Sequence, residues 1–103
     1  MKQAHVVWSA EALADLETIY DFIAAKSQPS AQRIVEAVLA RARQLEDFPE
    51  SGAQQEMPNA KGKRYRYLVE GNYKVIYSYQ KQAKAVHIEI IFDTRHNPDK
   101  LIV

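Results

Sequence analysis

The strongest constraint on the fold is a change in hydrophobic spacing about halfway along the 103-residue chain. Between residues 12 and 45, apolar side chains recur every three or four positions, the spacing of a helix with one buried face. From residue 64 onward, apolar and polar residues alternate, the spacing of a strand with one buried face. Because helices and strands fall in separate parts of the chain, the pattern predicts an α+β fold of two layers.

The helical part predicts two consecutive amphipathic helices after a short first strand, Val6–Trp8. Ser9 is a suitable N-cap for the first helix, which we expect to end near Lys26. Residues 27–30 (SQPS) separate the helices and offer two serines as the second N-cap, and Pro49 ends the second helical pattern. A link this short between two helices implies an antiparallel helical hairpin.

The alternating part predicts three strands, at residues 64–69, 73–79 and 86–92. Residues 70–72 (EGN) are a turn signal, so the strands should form an antiparallel meander. Residues 49–63 contain two prolines and two glycines without periodicity, which predicts a long loop. The predicted order is therefore β-α-α-β-β-β in a single domain over residues 1–103, with the helical hairpin packed on an antiparallel sheet.

Alternation within the strands also predicts which side chains share a face. In the last strand it places four apolar residues together: Val86, Ile88, Ile90 and Phe92. It also allows Arg64 and Arg66 to share a face with Lys74 on the neighbouring strand.

The net charge of +1 conceals an uneven distribution. Residues 11–50 contain eight acidic and four basic residues, whereas residues 51–103 contain nine basic and five acidic ones. A cationic surface flanked by tyrosines suits an RNA or an acidic protein partner. The same pattern is also typical of a sheet face that carries charges for solubility, and the charges alone leave both interpretations open.

Several classes of chemistry find no support in the sequence. The absence of cysteine excludes a disulfide scaffold, a thiolate zinc site and a cysteine nucleophile. The three histidines lack metal-ligand spacing and no phosphate-binding glycine motif occurs, so we expect no metal or cofactor. No apolar stretch approaches the roughly 20 residues of a membrane span, and no signal peptide is recognisable, so we expect no membrane association and a cytoplasmic location.

Four segments carry a resemblance to a known family: residues 7–20 (VWSAEALADLETIY), 45–52 (LEDFPESG), 66–77 (RYLVEGNYKVIY) and 88–95 (IEIIFDTR). In this order and spacing they resemble the RelE/ParE toxin superfamily of bacterial type II toxin–antitoxin modules, more closely the ParE side. The resemblance implies a toxin of a plasmid-stabilisation system that inhibits growth by binding a protein such as DNA gyrase. It also implies neutralisation by a cognate antitoxin with an acidic C-terminal segment, in a hetero-oligomer of the two.

The resemblance leaves two alternatives open. A RelE-like protein would be an mRNA endoribonuclease acting at the ribosome, and Lys74, Arg95 and His96 would then be its catalytic residues. His96 would replace the C-terminal tyrosine of RelE-like proteins, which this chain lacks. The other alternative is a non-toxic module that docks an acidic peptide. For the ParE-like hypothesis, which is not enzymatic, the predicted target- or antitoxin-binding residues are Arg64, Arg66, Tyr73, Lys74, Tyr77 and Arg95.

Overall fold

The computed structural model describes residues 2–57 and 61–95, which form a five-stranded sheet with two helices on one face. The elements are β1 His5–Trp8, α1 Ala10–Ala24, α2 Gln28–Arg43, a 3₁₀ turn Gln44–Glu46, β2 Ala53–Gln55, β3 Tyr65–Glu70, β4 Tyr73–Gln80 and β5 Ala85–Asp93. The strand order is β1-β5-β4-β3-β2, in which β1 runs parallel to β5 and all other pairs are antiparallel. The predicted α+β fold, a helical hairpin on a largely antiparallel sheet, is confirmed.

Serine side chains begin both helices. The Ser9 hydroxyl accepts a hydrogen bond from the Ala12 amide at 2.9 Å, as predicted, and Ser27 is the serine that caps α2. The apolar stripes face the sheet, where Ala12, Val38 and Leu45 are fully buried. None of the helices in the described part of the chain is long and apolar enough to cross a membrane.

The predicted long loop contains a strand. Residues 53–55 form β2, which pairs with β3 at the edge of the sheet, with Ala53 opposite Tyr67. The expectation of an uninterrupted loop is therefore wrong here. The sequence AQQ has no alternation, and this strand is defined by backbone pairing to β3 rather than by a buried side-chain pattern.

A β-bulge in β5 changes which side chains face the helices. Tyr77 pairs with Ile88 whereas Ile76 pairs with Ile90, so Glu89 is an additional residue on β5. Beyond the bulge the alternation is shifted by one position: Ile91 packs with the helix-side core, while Ile90 and Phe92 pack with Ile76 on the opposite face. The predicted common face of Val86, Ile88, Ile90 and Phe92 is therefore wrong for its last two members.

Helix α1 holds this bulge in place. The Ser9 hydroxyl donates to the Glu89 carbonyl at 2.7 Å, and the Ile91 amide donates to the Asp15 carboxylate at 2.9 Å. Each bond satisfies a backbone group next to the irregularity, where ladder pairing is interrupted. The first turns of α1 and the shifted alternation of β5 are thus structurally coupled.

Candidate functional site

The sheet face opposite the helices, called the outer face below, has an apolar centre. Ile76, Ile90 and Phe92 are buried there, with Tyr65 and Tyr67 packed against them. Lys74 lies beside this cluster, and its Nζ is 4.0 Å from the centroid of the Tyr67 ring, a cation–π contact. The centre of the outer face therefore combines the Lys74 cation with aromatic and aliphatic side chains.

The predicted grouping of Arg66 with Lys74 on one face is wrong. In the β3–β4 hairpin, Val69 pairs with Lys74 and Arg66 pairs with Tyr77, and directly opposed residues share a face. Tyr77 belongs to the helix-side core, so Arg66 lies on that side and Lys74 on the other. The cause is the two-residue loop Gly71–Asn72: loop length sets the register, and a change of one position exchanges the faces.

Arg66 holds the turn at residues 48–52. Its Nη1 donates to the carbonyls of Glu50 and Gly52 at 3.1 and 2.8 Å, and its Nη2 is 3.7 Å from the Glu50 carboxylate. From the sheet side, the Gly52 amide donates to the Tyr77 hydroxyl at 2.9 Å. Tyr77 is completely buried, and this burial raises the pKa of its phenol. The turn is thus fixed from two directions.

A cleft of about 780 Å³ opens beside this turn, between β2, the start of β3 and the end of β4. We call it the cationic cleft, because its charged lining residues are four bases and two acids: Lys63, Arg64, Arg66, Lys81, Glu50 and Glu56. Within the described residues, Arg64 and Lys81 make no ion pair. This excess of positive charge favours an anionic partner.

Arg95 is engaged by its neighbour Asp93. Its Nε and Nη2 lie 3.1 and 3.0 Å from the two carboxylate oxygens, and this hydrogen bonding raises the pKa of the Arg95 guanidinium. Since Tyr73 pairs with Asp93 and Lys74 with Phe92, Arg95 and Lys74 belong to the same end of the sheet. The register places Arg66 nearer the other end, and His96 lies outside the described residues.

Two of the predicted tyrosines are core residues. Tyr73 is 6% exposed and Tyr77 is 0% exposed, so neither presents its ring to a partner, and burial is the main cause that raises the pKa of each. The tyrosines that flank the outer face are instead Tyr65 and Tyr67. The alternation in the sequence groups Tyr65 with Tyr67, and Tyr73 with Tyr77. Only the register of the hairpin shows which of these two pairs lies on the outer face.

Sequence reasoning also missed part of the cationic cleft. Lys63 belongs to the basic run 61–66, but Lys81 and Glu50 reach the cleft only through the tertiary fold. Lys63 is 3.9 Å from the Glu89 carboxylate, which also accepts a hydrogen bond from Ser78 at 3.2 Å. No cluster of three or more metal-ligating His, Cys, Asp or Glu residues occurs in residues 2–57 and 61–95.

Comparison with known proteins identifies the family. The model of the family described as the ParE toxin of the type II toxin–antitoxin system, parDE, matches residues 6–98. Among solved structures, the chain resembles one from the chromosomal ParDE toxin–antitoxin system of P. aeruginosa, with 22% identity, a TM-score of 0.71, and 88% of this chain and 96% of that chain covered. It also resembles one from the toxin–antitoxin complex RelBE2 of Mycobacterium tuberculosis, with 20% identity, a TM-score of 0.64, and 90% and 99% covered.

No curated protein matches the chain. The two structural similarities establish the fold. The family match covers nearly the whole sequence and includes β3, β4 and β5. The predicted resemblance to the RelE/ParE superfamily, closer to ParE, is confirmed, and the chain belongs to the ParE family of toxins of type II toxin–antitoxin systems.

Proposed function

We propose that the chain inhibits bacterial growth by binding a protein target such as DNA gyrase, and that a cognate antitoxin neutralises it. Membership of the ParE family supports the toxin role. The observation that carries the choice of an inhibitor over a nuclease is the arrangement of the predicted catalytic cations. Lys74 packs on the Tyr67 ring, and Arg95 is held by both oxygens of Asp93.

An RNA-cleaving site needs more than cations. It must activate the 2′-hydroxyl, stabilise the phosphate charge and protonate the leaving oxygen, with all three groups directed at one phosphate. The side chains around Lys74 are instead those of Tyr67, Val69, Ile76 and Phe92, which carry hydrocarbon and phenol groups. Val69 is 46% exposed, and an apolar surface with one cation is typical of a protein–protein contact.

The predicted binding residues fall on two surfaces, the outer face and the cationic cleft, and we assign each surface to a different partner. In this proposal Lys74 contacts the target through the outer face, and Arg64 and Arg66 contact an acidic segment of the antitoxin in the cationic cleft. Tyr73, Tyr77 and Arg95 support these surfaces from within the sheet or at its end. In this proposal the toxin, the antitoxin and the target meet in the cytoplasm, and the antitoxin controls the toxin.

Induced expression in a susceptible bacterium without an antitoxin tests the proposal. We expect growth arrest, inhibition of plasmid supercoiling by purified gyrase when the purified chain is added, and intact mRNA in primer extension. Ribosome-dependent cleavage of mRNA with normal supercoiling would favour the RelE-like alternative. Harmless expression of the folded chain would favour the non-toxic docking module.

A charge-removing pair of variants tests the outer face. Lys74→Met should abolish growth arrest, because it removes the positive charge at the apolar centre of the proposed target surface while keeping a side chain of similar length. Lys26→Met removes the same charge from an exposed position beyond the end of α1 and should remain toxic. Equal toxicity of the two folded variants would contradict the assignment of Lys74 to the target surface.

A further inference from the structure

The cationic cleft contains an acidic side chain of the chain itself. Glu50 lines the cleft, and its carboxylate is 3.7 Å from Nη2 of Arg66, an ion-pair distance too long for a hydrogen bond. The Glu50 side chain is 56% exposed, so it is well hydrated and weakly held. A carboxylate of a binding partner that approached Arg66 would therefore have to displace the Glu50 carboxylate.

The orientation of Arg66 does not depend on Glu50's carboxylate. Two backbone carbonyls, those of Glu50 and Gly52, accept hydrogen bonds from Nη1 and hold the guanidinium plane. Arg66 lines the cleft, and these two bonds do not involve the Glu50 carboxylate, so they can persist when that carboxylate moves away. A donor fixed in advance binds an anion without a further loss of side-chain entropy.

We propose that the cationic cleft is a binding site for carboxylates of an acidic partner segment, in which Glu50 is an internal competitor that the partner displaces. The inference rests on the proposed function in one respect, that the partner is the antitoxin. Arg66 is the fixed anchor, and Arg64 and Lys81 supply charge that no described residue neutralises.

The lining favours a peptide over a nucleic acid. Glu50 and Glu56 would repel a continuous phosphate backbone, whereas a peptide can place its carboxylates near the bases and neutral residues near the acids. β2, which lines the cleft through Gln54 and Gln55, is an outermost strand of the sheet, so it also offers backbone groups to an extended peptide.

Competition by Glu50 has an unusual consequence, since removing it should tighten binding. Exposed ion pairs are worth only a fraction of a kcal/mol to about 1 kcal/mol, so Glu50→Gln should lower the Kd for an acidic peptide about two- to five-fold. Arg64→Ala should raise the Kd by a similar factor. Substitution of Arg66 is less informative, because it also releases the carbonyls of the turn.

Fluorescence anisotropy with the purified full chain measures these changes. The probe is a short labelled peptide of alternating glutamate and leucine, and the control probe has glutamine for glutamate. Matched controls are Glu17→Gln and Lys26→Ala, which make the same charge changes at exposed positions on or next to α1, in the helical layer. We expect the acidic probe alone to bind, Glu50→Gln to tighten it more than Glu17→Gln does, and Arg64→Ala to weaken it more than Lys26→Ala does.

Three results would overturn the inference: equal effects of Glu50→Gln and Glu17→Gln, weaker binding by Glu50→Gln, or preference for a single-stranded RNA of matched length over the acidic peptide. The assay does not require toxicity, so the two proposals fail separately. If Glu50→Gln binds the peptide more tightly but expression of the chain is harmless, the toxin proposal is refuted and the proposal for the cationic cleft stands. Growth arrest with no effect of Glu50→Gln would refute internal competition and keep the toxin proposal.

Discussion

Replacing Gly52 by alanine tests how tightly the 48–52 turn is packed on the sheet. A Cβ at Gly52 would lie 2.7 Å from the Tyr67 carbonyl oxygen, 2.7 Å from the Tyr77 hydroxyl and 2.9 Å from Tyr77 Cε1. The Tyr67 carbonyl belongs to a central part of the sheet, and Tyr77 is fully buried, so neither can move away easily. The glycine is needed here for its small size.

The cost of this substitution has two parts. Forcing one methyl group into a packed core costs about 1–3 kcal/mol. Displacing the turn also breaks the 2.9 Å hydrogen bond from the Gly52 amide to Tyr77, which is worth about 1 kcal/mol. We therefore expect Gly52→Ala to lower the free energy of unfolding by about 2–4 kcal/mol, a large share of the roughly 5–15 kcal/mol typical of a domain.

Urea unfolding, followed by the fluorescence of Trp8, measures the loss. With a slope of about 2 kcal/mol per molar urea, the midpoint should fall by about 1–2 M. Gly71→Ala is the matched control, because Gly71 has φ +59° and open space around its Cβ position, so its cost is one of backbone conformation alone.

A Tyr77→Phe background tests whether the cost arises at the Tyr77 hydroxyl. It removes both the hydroxyl that the new methyl group meets and the hydrogen bond, so Gly52→Ala should cost at least about 1 kcal/mol less there than in the wild type. The cost of Gly71→Ala should be the same in both backgrounds to within about 0.5 kcal/mol. Strict additivity of Gly52→Ala with Tyr77→Phe would refute the part of the reasoning that rests on the Tyr77 hydroxyl.

Three further predictions concern stability. Burial raises the pKa of Tyr77 above 10.0, so its protonated form contributes fully below pH 10 and that contribution is lost as the pH rises through the raised pKa; urea midpoints should fall in this range, less steeply in Tyr77→Phe. Asp15→Ala should cost about 1–3 kcal/mol by leaving the Ile91 amide without its acceptor, and Asp15→Asn, which keeps an acceptor, should recover most of it in thermal unfolding. Ser9→Ala should cost about 0.5–2 kcal/mol in the same assay, and an unchanged Tm would contradict its role as cap.

Much of the candidate site could not be predicted from the sequence, because the face on which a strand residue lies depends on how neighbouring strands are paired. The basic run 61–66 correctly indicated a cationic surface, and Arg64 and Arg66 line the cleft. Alternation predicts Lys74 on the same face as these arginines, yet the two-residue loop Gly71–Asn72 places Lys74 on the face opposite Arg66. The alternation of β4 correctly separates Lys74 and Ser78 from the buried Val75 and Tyr77. In β3, however, Arg66 shares its face with the buried Leu68, so polarity does not identify the buried face of that strand.

The local structure of this protein follows from short segments of its sequence. Periods of 3.6 and 2 residues, the β-prone run Val6–Trp8, the Ser9 cap and the turn at 70–72 depend on near neighbours, and they suffice to predict the helical hairpin, four of the five described strands and the two-layer fold. The family resemblance also rests on local sequence motifs.

How those elements face one another depends on contacts between distant parts of the chain. The bulge at Glu89 is stabilised by Ser9 and Asp15, which lie more than seventy residues away in sequence, and β2 exists only because β3 provides its pairing partner. Such contacts leave no periodic trace, because the carbonyls and amides that they engage on β5 and β3 are present in every residue there. The register of the strands and long-range hydrogen bonds therefore determine which cations meet in one cleft.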